Sequence, residues 1–180
     1  MADSQKLVPF ILSWETNKYT NNKYDKGGPT KYGITLATWR RVGYDKNGDG
    51  VLNEKDVKLL TEDDFRCVFK HNFWDACQAD NINDQNVANM LVDFAYNSGI
   101  SRASKYIQKI VGATVDGIIG TKTIEKINGY KLGQKALFDS LKKERIKYLK
   151  EIGVGSQKIY LKGWLRRVSY ITYGNLKLNR

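Results

Sequence analysis

The chain has 180 residues, 41% of them hydrophobic and 27% charged, with a formal net charge of +11. That balance can bury a core and excludes a disordered or low-complexity chain. The length fits one domain, or one domain with a small subdomain.

The apolar run Leu7–Trp14 is too short to span a membrane, and Met1-Ala-Asp-Ser-Gln lacks a basic leader. No signal peptide, anchor or membrane insertion is expected, so a role outside the cell needs another export route. Charge is uneven. Residues 1–90 carry 12 Lys and Arg against 13 Asp and Glu, net −1. Residues 91–180 carry 18 against 6, net +12, which together make the +11. A basic half suits an anionic polymer such as nucleic acid, a membrane surface or a bacterial wall; the alternative is a solvated helix face. Cys67 and Cys77 would stand about 15 Å apart along one helix, too far to bridge, so both are expected reduced. His71 is the only histidine, which disfavours histidine-based nucleophilic catalysis.

In chain order, Leu7 to Glu15 reads as a helix with Pro9 in its first turn. Residues 16–34 read as a loop with a short hairpin around Tyr19, Tyr24 and Tyr32. Thr35 caps a second helix. Thr61-Glu-Asp-Asp is a capping-box variant ahead of a helix carrying Phe65, Val68, Phe69, Phe73 and Trp74. Asn89–Asn97 has helical spacing and ends at Ser98-Gly99; Ser101 then caps a further helix. A loop over residues 112–120 leads to short and long helices at Thr121–Ile127 and Leu132–Ile152. The long one carries Leu137, Leu141, Arg145, Tyr148 and Leu149 along it, with Leu137, Leu141 and Leu149 as its apolar face and Lys142, Lys143, Lys147 and Lys150 crowded on it as well. A last helix is expected over Ile159–Tyr173. Period-2 runs are few, so the fold is expected to be mainly α, in one unit.

Two carboxylates frame the first loop. Glu15 ends an apolar helix, where partial desolvation raises a carboxyl towards a working general acid. Asp25, ten residues on, sits among polar loop residues and would stay ionised. Two carboxyls in unlike environments are the equipment of glycoside cleavage. A plainer reading makes Glu15 a helix end and Asp25 the start of a turn.

Asp45-Lys-Asn47-Gly-Asp49-Gly50-Val51-Leu-Asn53-Glu-Lys-Asp56 follows a calcium-loop pattern. Oxygen side chains fall at positions 1, 3, 5, 9 and 12, with glycine at position 6. Asp45, Asn47, Asp49, the Val51 carbonyl and Asp56 are the expected ligands of one structural calcium ion. Asp56 stands where such loops usually have Glu, which resembles dockerin modules. The alternative is an Asx-rich turn.

Several segments together resemble glycoside hydrolase family 108, the lysozyme-like N-acetylmuramidases of phage endolysins and of proteins labelled secretion activators. Glu15 matches the family's catalytic Glu, although Thr16-Asn17-Lys18-Tyr19 replaces its Gly-Gly-Tyr. Asp25-Lys-Gly-Gly-Pro-Thr30-Lys-Tyr32-Gly33-Ile34-Thr35 matches its next segment. Phe73-Trp74-Asp75, Asp93-Phe-Ala-Tyr96-Asn97-Ser-Gly99 and Gly163-Trp164-Leu-Arg166-Arg167 resemble later ones. Asp116-Gly117-Ile-Ile-Gly120 resembles peptidoglycan-binding modules. The calcium-like loop is not part of the family pattern and reads as an insertion.

The resemblance implies a lysozyme-like catalytic part over residues 1–98 and a helical peptidoglycan-binding part over 99–180, packed as one unit. It implies Glu15 as catalytic acid, Asp25 as partner, Thr30 as water-positioner, and Tyr32, Tyr96 and Asn97 lining the cleft. Peptidoglycan is the implied partner, with no nucleic acid, a monomeric state, and no cofactor in catalysis. The protein would be made in the cytoplasm and act on the wall in the periplasm or outside the cell. The rival reading is a non-catalytic, calcium-stapled basic module that holds cell wall or another anionic polymer.

Overall fold

The structure is a computed structural model that describes residues 1–21 and 28–179. Its helices are α1 Val8–Leu12, α2 Leu36–Val42, α3 Glu54–Lys58, α4 Glu62–Phe69, α5 Gln85–Ser98, α6 Ile100–Val111, α7 Thr121–Asn128, α8 Gln134–Ile152 and α9 Lys158–Ser169. Two short antiparallel hairpins complete it: β1 Thr30–Lys31 with β2 Ile34–Thr35, and β3 Ile171–Thr172 with β4 Asn175–Leu176. The fold is mainly α and lysozyme-like.

Helix α5 is the hub. Val87 to Ala95 are buried throughout, because α6, α8 and residues 70–74 pack against it. Thr35 caps α2 through the Thr38 N–H, and Thr61 forms a reciprocal capping box with Asp64. Both agree with the local sequence signals. Past α4 the chain widens into one π-turn, Lys70–Trp74, which carries Phe73 beside Tyr96 on α5.

Three boundaries differ from the periodicity. The first helix stops at Leu12, because the Ser13 hydroxyl donates to the Phe10 carbonyl and the Trp14 and Glu15 N–H groups fold back onto Ile11 and Leu12. A side-chain hydroxyl competing for a helix carbonyl has this effect. Ser101 does not cap α6. Gly99, at φ 92, joins α5 to α6 directly, leaving no room for a capping residue. The last helix ends at Ser169, and the β-branched pair Ile171-Thr172 turns at Gly174 into β4. That hairpin docks on the start of α5: Tyr173 donates to Asp84 at 2.6 Å and the Gly174 N–H to Asn86 at 2.8 Å.

The long helix α8 buries Leu137, Leu141, Arg145 and Leu149 on one stripe, so a guanidinium stands in the core. Asp93 on α5, 0% exposed, meets it: Arg145 Nη2 lies 2.7 Å from Asp93 Oδ2. Arg167 of α9 closes on the other oxygen, with Nε and Nη2 at 3.1 and 2.7 Å from Oδ1. Burial pushes the Asp93 carboxyl up, but Arg145 and Arg167 outweigh it and hold it below the ordinary carboxylate range. Lys142, expected from sequence on a basic helix face open to an anionic partner, is half-buried and donates to the Ile171 carbonyl at 2.5 Å. It braces the terminal hairpin instead.

Asp93→Asn would leave two buried guanidiniums facing a neutral amide. Equilibrium urea unfolding at pH 7 should show a loss of about 3–5 kcal/mol. A depressed folded-state carboxyl stabilises above its unfolded value, so the difference from wild type should shrink as pH falls through the folded value. A loss under about 1 kcal/mol at pH 7 would contradict this account.

Candidate active site

Glu15 follows the end of α1 in a tight turn that aims its side chain at α5, α9 and the first hairpin. That hairpin pairs Thr30 with Thr35 and Lys31 with Ile34, leaving Tyr32 and Gly33 at the tip, both with positive φ, 52° and 73°. Two left-handed central residues make the primed turn that matches strand twist. The tip is pinned by the Tyr32 N–H on the Thr16 carbonyl at 3.1 Å.

Glycine at position 33 has a second cause. A Cβ there would stand 2.8 Å from the Tyr96 hydroxyl and 3.0 Å from Glu15 Oε2. The hairpin backbone therefore presses against the carboxyl itself. Tyr96 is held by Phe73, edge-on at 4.9 Å, and by Phe69. Arg167 approaches Glu15 Oε1 at 3.9 Å, and its guanidinium is flanked by the Phe10, Trp14 and Tyr96 rings.

Glu15 is half-buried, and burial raises its pKa above the ordinary 4.5. Arg167 and the Tyr96 hydroxyl pull it down, Asp93 pushes it up, and the sum stays raised. Burial also pushes the Tyr96 hydroxyl upward, so it remains a proton donor. A carboxyl that can hold a proton thus sits on the wall of a cleft of about 280 Å³. The cleft continues along Ile34, Thr38 and Arg41 on one side and Phe69, Asn72 and Phe73 on the other.

The remaining sequence candidates are dispersed. Tyr24 and Asp25 lie outside the described residues. The Thr30 hydroxyl donates to the Gly28 carbonyl at 2.9 Å. Tyr32 is half-buried beneath the Lys31 ammonium, 5.7 Å from its ring centre. Asn97 donates to the Asp93 carbonyl at 2.7 Å and lines a separate cleft. Asp116 is spent on the Gln108 amide and the Ile118 N–H, so the Asp-Gly-x-x-Gly segment is a turn tied to buried Gln108.

The 45–56 loop is closed by its own hydrogen bonds. Asp45 accepts from the Gly48 and Gly50 N–H groups, and Lys55 Nζ meets Asp49 at 3.0 Å. The Val51 carbonyl accepts from the Asn53 amide. Buried Asp56 accepts from the Lys46 and Asn53 N–H groups, and Asn47 donates to Asp49. Among the described residues no three His, Cys, Asp or Glu side chains gather as a metal set. The donors named from sequence are nonetheless all oxygens, which suits a hard cation.

Four residues around Glu15 carried no assigned role in the sequence reading: Gly33, Arg41, Asn72 and Arg167. Arg167 was within reach of it, being the arginine of the Gly163-Trp164-x-x-Arg segment.

A mainly helical fold with a half-buried, raised glutamate on a cleft wall fits a glycoside hydrolase. The chain belongs to the glycosyl hydrolase 108 family: the family model with that description matches residues 8–99. A second model, described as a predicted peptidoglycan domain, matches residues 102–169. The chain is also similar to the solved structure of SagA from Brucella abortus, at 32% identity and a TM-score of 0.73, over 93% of this chain and 90% of that one. No curated protein matches it. The protein is therefore a glycoside hydrolase related to peptidoglycan.

Proposed function

We propose that the protein is an N-acetylmuramidase that cleaves the β-1,4 bond between N-acetylmuramic acid and N-acetylglucosamine, with Glu15 as general acid. The observation that carries this reading is the raised, half-buried Glu15 carboxyl on the wall of the 280 Å³ cleft. Protonated Glu15 donates to the bridging oxygen as the oxocarbenium-like state develops. Arg167 then stabilises the carboxylate left behind, while Gly33 and Tyr96 fix its position. Tyr32 and Tyr96 offer ring surface to sugars. Asp25 is proposed as the ionised partner and Thr30 as the residue that orients water. Residues 1–98 are proposed as the catalytic part and 99–180 as the wall-binding part, acting on the wall outside the cytoplasm. The non-catalytic alternative does not account for a half-buried, raised carboxyl held beside an open cleft.

Glu15→Gln should slow clearing of purified peptidoglycan by about 10²–10⁴-fold. It should also be the more stable protein at neutral pH. A carboxyl raised in the folded state contributes stability below its unfolded value and loses it as pH rises through the folded value. The variant's advantage should therefore fade towards acid pH. Clearing at the wild-type rate by a folded variant would overturn the assignment.

We also propose one calcium ion in the 45–56 loop, on Asp45, Asn47, Asp49, the Val51 carbonyl and Asp56. It would displace Lys55 from Asp49 and the Asn53 amide from Val51, supplying cross-linking charge and no chemistry. Saturating calcium should raise the melting temperature of chelator-treated protein by mass action. An unchanged melting temperature would remove the ion.

A further inference from the structure

On the far side of Arg167 from Glu15 lies a second cleft, of about 230 Å³, between the α5–α6 junction, α8 and α9. Arg102, Arg145 and Arg167 all line it, and none of its described lining residues is acidic. Asp93 and Glu15 stand behind the guanidiniums, so with both carboxylates ionised one positive charge is left over. Arg102 supplies it. Arg102 is exposed, has its guanidinium carbon 4.9 Å from the Tyr148 ring centre, and uses Nη1 on the Ser98 carbonyl at 2.8 Å. Its remaining N–H groups have no partner among the described residues.

A second observation comes from inside the wall. Arg145 is 1% exposed, yet its Nε–H has no hydrogen-bond partner among the described residues. Asp93 Oδ2, 2.7 Å from Arg145 Nη2, likewise has no well-aligned hydrogen bond among the described residues, so the Arg145–Asp93 pair leaves one donor and one acceptor incompletely used behind the cleft wall. The other side of the cleft is apolar: Leu149, Ile152 and Trp164, with Trp164 stacked on exposed Tyr160 at 6.0 Å. A pocket with guanidinium forks on one wall and small apolar and aromatic surface on the other suits a carboxylate next to a short alkyl group.

We propose that this cleft binds a free carboxylate of the peptide stem carried by peptidoglycan, with Arg102 as the principal contact and Trp164 beside the alkyl group. The inference rests on peptidoglycan being the substrate. It makes the stem a specificity determinant read by the C-terminal half, one guanidinium away from Glu15. The basic surface goes on past Arg102 to Lys105 and Lys109 along α6, which lets a longer anionic stem leave the cleft without meeting an acidic barrier.

The test titrates the whole protein with the soluble stem peptide L-Ala-γ-D-Glu-L-Lys-D-Ala and with the same peptide amidated at its carboxyls. The Trp164 indole N–H, assigned with Trp164→Phe, is the reporter. Binding should weaken about tenfold or more on amidation, and likewise in Arg102→Gln, the ordinary return of charge-assisted hydrogen bonds. No shift with the acid peptide, or equal binding of the amidated one, overturns the proposal. Cleavage is scored separately on glycan with and without stems. Peptide binding without any glycan cleavage keeps this inference and removes the muramidase reading. Equal cleavage of both glycans with no peptide binding does the reverse.

Discussion

Asp93 carries a full charge with no exposed surface, and that is possible only because two guanidiniums from distant parts of the chain reach it. An isolated buried carboxylate would take up a proton rather than stay ionised. Arg145 and Arg167 prevent this. In doing so they bind α5 to α8 and α9, joining the half that carries Glu15 to the basic half. Breaking such a group exposes an unpaired buried charge, so the halves are held in one relation more firmly than apolar contact alone would require.

The same constraint reaches the chemistry. Arg167 is committed to Asp93 through two nitrogens, and its third lies 3.9 Å from Glu15. At that distance it attracts the carboxylate without forming a close pair. A bidentate contact would hold Glu15 ionised, and no contact would leave its conjugate base unsupported in a half-dry site. Sharing Arg167 with Asp93 weakens its grip on Glu15 enough for desolvation to win. The hairpin tip sets the other limit, since Gly33 and Tyr96 leave the carboxyl little freedom to swing away. Pre-set position of this kind lowers the barrier without reorganisation during the reaction.

Local signals were legible in sequence wherever their cause was local. Thr35 and Thr61 cap helices because hydroxyl and N–H lie three residues apart. Glu15 was found because an apolar run ends on it, and the family resemblance carried its role. What escaped were long-range partnerships. Arg145 fell on the buried stripe of α8 between Leu141 and Leu149, yet nothing near it names Asp93, 52 residues away. Arg167 reaches the same aspartate across 74 residues. The terminal hairpin was read as helix because its docking partners, Asp84 and Asn86, lie almost ninety residues upstream. Helical spacing names which residues face inward and is silent on what they meet.

The central claim is that burial outweighs Arg167 in setting the Glu15 proton. Carbon-13 titration of the Glu15 carboxyl tests it without any substrate. The account predicts a midpoint above 4.5 in the wild-type protein, and a still higher one in Arg167→Met, where the attracting charge is gone. A wild-type midpoint at or below 4.5, or a fall in the variant, would contradict it.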